Sequence, residues 1–165
     1  MAILKEELIE KIRQAFSDVA LGDGISLHEA TAIDGYASEA VRKAARLKDA
    51  NTHWSEVPDE HIAANDTVFS FLDIKGHVYY APAYMLWLLR TGYETQSNSV
   101  ECAQYAFDPC GKHEGGRRHR PHEMFNPEQC ACIAQYLLHV YEVLDEESCC
   151  STAKGYLESY WSKFL

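Results

Sequence analysis

The chain has 165 residues, of which 47% are hydrophobic and 24% are charged, and these proportions are ordinary for one globular domain. Its formal net charge of −10 disfavours nucleic-acid binding, because phosphates require a positive surface. No apolar run is long enough to span a bilayer, and the N-terminal residues lack the apolar core of a signal peptide. We therefore expect a single cytoplasmic domain over residues 1–165, without a nucleic-acid or membrane partner.

The first third of the chain predicts three helices. Residues 3–17 carry an apolar residue every fourth position, at Leu4, Leu8, Ile12 and Phe16. Ser26 and Glu29 fit a capping box, which begins a short helix that ends near Ile33. A second start at Ser38 leads to a helix with a basic face that ends near Lys48. A connector follows, with Trp54 as its apolar anchor.

Residues 67–81 predict an antiparallel β-hairpin. Aromatic and β-branched residues alternate with others on both sides of residues 73–76, where Asp73 and Gly76 suit a tight turn. Pro82 cannot donate to a strand ladder, so it predicts the end of the second strand and the start of an apolar helix that ends at Gly92. The predicted fold class is therefore α+β, mainly helical, with this hairpin packed against the helices.

The last third predicts a short helix within residues 100–107 and two longer helices. Asn126, Pro127 and Gln129 form a strong helix start, and a final helix is expected over residues 148–163. Six cysteines without an export signal predict free thiols rather than disulfides. The expected core contains large apolar side chains from each region: Trp54, Phe71, Tyr80, Leu86, Leu137 and Trp161.

Residues 108–125 predict a long loop rich in His and Gly. The part from 112 to 122 has a net charge of +3, which leaves −13 on the rest of the chain. A loop of this length in a compact domain is either functional or solvated and mobile, and this one could dock an anion or another copy of the acidic chain.

The same loop contains a possible zinc site. Cys110, His113, His119 and His122 have the spacing C-x2-H-x5-H-x2-H, and zinc binds thiolate and imidazole in a tetrahedron. The neighbouring lysine and three arginines would repel a cation, so the alternative is a flexible loop with incidental histidines.

Two other sets of side chains are candidates for a site. Tyr79, Tyr80, Tyr84 and Trp87 could line an aromatic groove for a ligand or a partner, although aromatics at this spacing are more often core residues. His28 and Asp34 could form a carboxylate–histidine pair, or Asp34 could bind backbone amides at a turn.

The order of several motifs resembles an uncharacterised bacterial family, a domain of unknown function of about this length. The matching residues are 15–16, 24–30, 34–36, 54–58, 71–73, 79–83, 127–129 and 160–161, so the resemblance covers most of the chain but not residues 108–125. It implies a shared small α+β fold and brings no established activity, cofactor or site residues.

No known catalytic motif occurs, so no catalytic residue and no cofactor is predicted. The acidic charge favours a non-enzymatic binding protein of the antitoxin or immunity type, with a basic protein as its partner. The alternative is a small metal-binding protein or enzyme that uses the Cys/His-rich segment 110–122.

Overall fold

The computed structural model describes residues 1–49, 52–144 and 151–165. Its nine α-helices within these residues are α1 (Lys5–Ala15), α2 (Leu27–Asp34), α3 (Glu39–Arg46), α4 (Asp59–Ala64), α5 (Ile74–Thr91), α6 (Ser99–Tyr105), α7 (Pro121–Met124), α8 (Pro127–His139) and α9 (Thr152–Ser159). Strands β1 (Lys112–Glu114) and β2 (Arg117–His119) form one antiparallel hairpin. The prediction of a mainly helical α+β domain is confirmed.

The predicted position of the hairpin, residues 67–81, is wrong. Val68–Ser70 form a 3-10 turn, and α5 begins at Ile74 and continues through Pro82 to Thr91. Asp73 is the N-cap of α5 rather than a turn residue, because its carboxylate accepts from the amide of Gly76 at 2.8 Å.

The reason for this error is that the middle of α5 is buried on every side, while Lys75 and Arg90 near its ends are exposed. Every residue from Tyr79 to Leu89 is buried, so the helix has no polar face and its sequence shows no helical period. The aromatic residues of this segment favour strands, so the sequence suggests the alternation of a β-strand. Tertiary packing overrides that preference and also offsets the cost of Pro82 within the helix.

The hairpin instead lies inside the predicted loop 108–125. Gly115 and Gly116 connect its strands, and both have positive φ, 60° and 78°, as a type I′ turn requires. The short helix α7 completes the segment. This segment therefore has regular structure, which its charged residues concealed because short exposed strands carry no apolar alternation.

The core forms where α5 and α8 meet the surrounding helices. Helix α1 packs against both, α6 packs against α5, and α9 packs against α8. Five of the six predicted core residues are buried, namely Trp54, Tyr80, Leu86, Leu137 and Trp161, whereas Phe71 is only half-buried. The two indoles each donate to a backbone carbonyl, Trp54 to Phe16 at 2.8 Å and Trp161 to Phe107 at 2.7 Å.

Most predicted helix starts are confirmed by hydrogen bonds. At α2, Glu29 accepts from the backbone amide of Ser26 at 3.1 Å, which is one half of the predicted capping box; Asn126 and Gln129 form both halves of the box of α8. Helix α1 is shorter than predicted, and Leu4 is exposed. The final helix begins at Thr152, and the earlier part of its predicted range lies outside the described residues. Cys102, Cys110, Cys130 and Cys132 are free thiols. Cys149 and Cys150 lie outside the described residues.

Candidate functional site

The predicted aromatic groove is part of the core. Tyr79, Tyr80, Tyr84 and Trp87 are each at most 2% exposed, so they present no surface to a ligand. The Tyr84 hydroxyl donates to the carbonyl of Asn65 at 2.5 Å, and burial raises its pKa well above the usual value. These side chains pack the molecule, and the groove hypothesis has no support in their positions.

The predicted zinc ligands lie apart on the hairpin and beside it. His113 pairs with Arg118 and His119 with Lys112, so the two histidines point to opposite faces of the hairpin. The His119 ring lies 3.2 Å from the carbonyl of Glu114, and the His122 ring lies 2.6 Å from the Tyr160 hydroxyl. Cys110 is exposed. Zinc binding by these four residues stays a prediction that their arrangement does not favour.

A different set of possible ligands comes together on α2, α4 and the turn after α3. His28, Asp49 and His61 each offer one ligand atom, and these three atoms lie within 4.8 Å of one another. It is the one such group of three or more in the part of the chain that the structure describes. We call it the His–Asp–His cluster.

Asp49 is the buried centre of this cluster. One carboxylate oxygen lies 2.6 Å from Nδ1 of His28, and the other accepts from the backbone amide of His28 at 2.8 Å. The Asp49 side chain is 1% exposed, while that of His28 is 19% exposed. A buried carboxylate therefore sits beneath a histidine that reaches the surface.

His61 completes the cluster from α4. Its ring meets the His28 ring edge to face, with centroids 4.7 Å apart. Its Nδ1 is buried and has no hydrogen-bond partner among the described residues. An unsatisfied buried nitrogen is costly, and this one is free to accept a hydrogen bond or to bind an ion.

A second layer of polar contacts fixes α4 against α2. The Asn65 amide donates to the carbonyl of His61 at 2.7 Å, and the Thr31 hydroxyl donates to the Asn65 side-chain oxygen at 2.5 Å. The carbonyl of Asn65 in turn accepts from Tyr84 in the core. This chain of bonds ties the backbone that carries His61 to α2 and to α5.

The predicted His28–Asp34 pair is replaced by the pair of His28 with Asp49. Asp34 instead accepts from the Thr67 hydroxyl at 3.0 Å. The sequence identified His28 but not its partners, because Asp49 and His61 lie on other elements and no local spacing links the three residues. The packing of α2 against α3 and its following turn brings Asp49 to His28, and His61 meets His28 from α4.

The chemistry of this donor set suits a divalent transition metal. Two imidazoles and one carboxylate are the ligands that zinc and non-haem iron share in open sites, where further positions remain for water or a substrate. Without a metal, the same geometry allows Asp49 to orient the His28 ring.

No helix among the described residues is long and apolar enough to cross a membrane.

Comparison with known proteins identifies a family without a known function. A family model described as "Family of unknown function (DUF6714)" matches residues 4–165, including the segment 108–125 that the sequence resemblance left out. Neither a curated protein nor a solved structure matches the chain. Since this family model covers nearly the whole sequence, the chain belongs to that family of unknown function.

Proposed function

We propose that this protein binds a divalent transition-metal ion through His28, Asp49 and His61. The observation that carries the proposal is the approach of three ligand atoms to within 4.8 Å around a carboxylate that is almost completely buried. Binding requires the three ligand atoms to move slightly closer together, because each ligand atom lies only about 2 Å from a bound zinc ion.

A metal would add to the pairing of Asp49 and would satisfy His61. The Asp49 carboxylate is shielded from water and bonds to the ring and the backbone amide of His28, and a cation would place a further positive charge beside it. Nδ1 of His61 has no partner among the residues described. A cation between them would neutralise the carboxylate and accept the lone pair of the imidazole.

The ligand types restrict the choice of metal. Magnesium and calcium prefer oxygen ligands, whereas imidazole favours zinc, iron, cobalt and nickel. Three protein ligands also leave coordination positions open, unlike the four that close a structural zinc site. The proposed function is therefore an open transition-metal centre, with zinc as the first ion to test.

The test is zinc titration of the metal-free protein by calorimetry, together with metal analysis of the purified protein. We expect one zinc ion per chain in the wild type. The variants Asp49→Asn and His61→Gln keep the side-chain size and remove one ligand each, so their affinity should fall by about 100-fold or more, since even outer-shell changes cost 10–100-fold.

The matched controls are His113→Gln and His122→Gln, which alter histidines of the hairpin segment. These variants should bind zinc as the wild type does. Loss of binding in the controls but not in the cluster variants would move the site to the predicted loop ligands. Absence of stoichiometric binding in the wild type would refute a metal centre and leave the cluster a structural contact between α2 and α4.

The hypothesis of a non-enzymatic protein of the antitoxin or immunity type stays a prediction. It depends on the net charge of −10 alone, which suggests a basic protein as the partner because opposite charges attract. A direct pull-down with a candidate basic partner at low and high salt would test it.

A further inference from the structure

A cavity that is separate from the His–Asp–His cluster lies between the hairpin and the first turns of α5. Its volume is about 530 Å³, which is within the range of small-molecule sites. Apolar side chains form much of its wall, including Phe69, Tyr105, Pro121 and Met124. Five polar side chains also line the cavity: Ser70, His77, Asp108, Lys112 and His113.

His77 presents an unused hydrogen-bond acceptor in this wall. Its Nε2 lies 2.6 Å from the carbonyl of Ala106, so Nε2 carries the proton and donates, and Nδ1 keeps a lone pair. The residue is 6% exposed, and Nδ1 has no partner among the described residues. Burial and the charge of Lys112 lower the pKa of His77 to about 3, so the ring stays neutral near pH 7.

Lys112 supplies a positive charge to the same cavity, and burial lowers the pKa of its ammonium group. Its ammonium group donates to the carbonyl of Phe69 at 2.8 Å, which places it at the wall and leaves further N–H groups to donate. Asp108 also lines the cavity, and its carboxylate accepts from the amide of Cys110. His77, Lys112, Asp108 and an apolar wall thus line one cavity, with Nδ1 of His77 buried beside it.

We propose that this cavity binds a small carboxylic acid that carries an N–H or O–H donor next to the carboxylate and an apolar side chain. The carboxylate pairs with Lys112, and the apolar group lies against Phe69 and Met124. The donor bonds to Nδ1 of His77 after a small shift of the wall uncovers that buried atom. Amino acids and 2-hydroxy acids share this chemistry, and Asp108 favours the ammonium group of the former. This inference is independent of metal binding.

The experiment compares three probes of the same shape by calorimetry and by NMR titration of the full chain. L-phenylalanine has an ammonium group, L-phenyllactate has a hydroxyl group, and 3-phenylpropionate has neither. We expect saturable binding at millimolar concentration by at least one of the first two. The third should bind about tenfold more weakly, because it leaves Nδ1 of His77 without a donor.

Two variants test the named contacts. His77→Gln keeps a donor for the carbonyl of Ala106 and removes the Nδ1 acceptor, while Lys112→Met removes the charge; each should weaken binding about tenfold. Lys43→Met, a charge removal on the exposed surface of α3, is the control and should bind normally. Circular dichroism checks that each variant is folded.

Two results would overturn the proposal. One is the absence of saturable binding of L-phenylalanine and L-phenyllactate to the wild type. The other is equal binding of the three probes, with no loss in either folded variant. A preference for phenyllactate over phenylalanine would identify the ligand as a hydroxy acid within the same proposal.

Discussion

His77 shows at the scale of one residue how burial couples to pH. In the folded protein its pKa is about 3, compared with 6.5 for an ordinary histidine, and desolvation is the largest cause. Between these values the unfolded chain binds a proton that the folded protein does not bind. The free energy of unfolding contributed by His77 is therefore fully present above pH 6.5 and is lost as the pH falls towards 3.

This linkage predicts the behaviour of His77→Gln. The wild type should lose about 1.4 kcal/mol per pH unit below 6.5 through this residue, and the variant should not. Urea unfolding at pH 7 and pH 5 measures the difference, which should be about 2 kcal/mol smaller in the variant. An identical pH dependence of the two proteins would mean that His77 is hydrated or already protonated in the folded state.

Gly76 and Gly155 form a second pair of residue-scale predictions. A Cβ at Gly76 would lie 2.4 Å from the carbonyl oxygen of Ile25, whereas a Cβ at Gly155 would meet nothing within 4 Å. Gly76→Ala should destabilise the protein by about 1–3 kcal/mol through overpacking. Gly155→Ala, in the interior of α9, should stabilise it by about 0.4–1 kcal/mol, because alanine costs less entropy there.

The measurement for this pair is the free energy of unfolding in urea for both alanine variants and the wild type. Opposite signs would confirm that the start of α5 approaches the chain at Ile25 as closely as the structure shows. Two small changes of the same sign would contradict that contact.

At the scale of the element, α8 and α3 differ in how they contribute to stability. The Asn126 side chain accepts from the amide of Gln129 at 2.8 Å and caps α8, which buries eight of its residues. Ser38 accepts from Val41 at 3.4 Å and caps α3, which buries none. Loss of the first cap therefore affects a helix on which the core depends.

Asn126→Ala should lower the free energy of unfolding by about 1 kcal/mol. Ser38→Ala should have a smaller effect on global unfolding, because α3 can fray without exposing buried side chains. Urea unfolding measures the first effect, and hydrogen exchange of the α3 amides measures local opening. A larger global effect from Ser38→Ala would show that α3 is needed for the core.

At the scale of the whole molecule, residues 1–165 are expected to unfold as one domain. The core includes helices from both ends of the chain, since α1 packs against α8. Calorimetry should therefore show a single transition whose calorimetric and van't Hoff enthalpies agree. Two resolved transitions would contradict the single-domain prediction.

Leu137→Ala tests the same core. Leu137 is completely buried on α8, and its truncation should cost about 2–5 kcal/mol. The matched control is Leu47→Ala, which makes the same chemical change at a side chain that is 79% exposed, and its effect should stay within about 0.5 kcal/mol. Similar losses from both variants would show that α8 is not central to the fold.

The sequence by itself determined the class of fold, most helix starts and most of the core. Caps such as Ser26 with Glu29, and stripes such as Leu8 and Ile12, depend on residues within one or two turns, so they are visible in the chain. The Gly115–Gly116 turn was also visible in principle, since paired glycines suit a type I′ turn, but its charged flanks hid it.

Tertiary structure alone decided the state of α5 and the composition of both candidate sites. A helix whose central residues are all buried has no polar face, so residues 74–91 could be identified as helical only from their neighbours. His28, Asp49 and His61 come from three elements, and His77 meets Lys112 only because the hairpin folds over α5. Packing between distant elements creates these contacts, and the spacing of residues along the chain does not encode them.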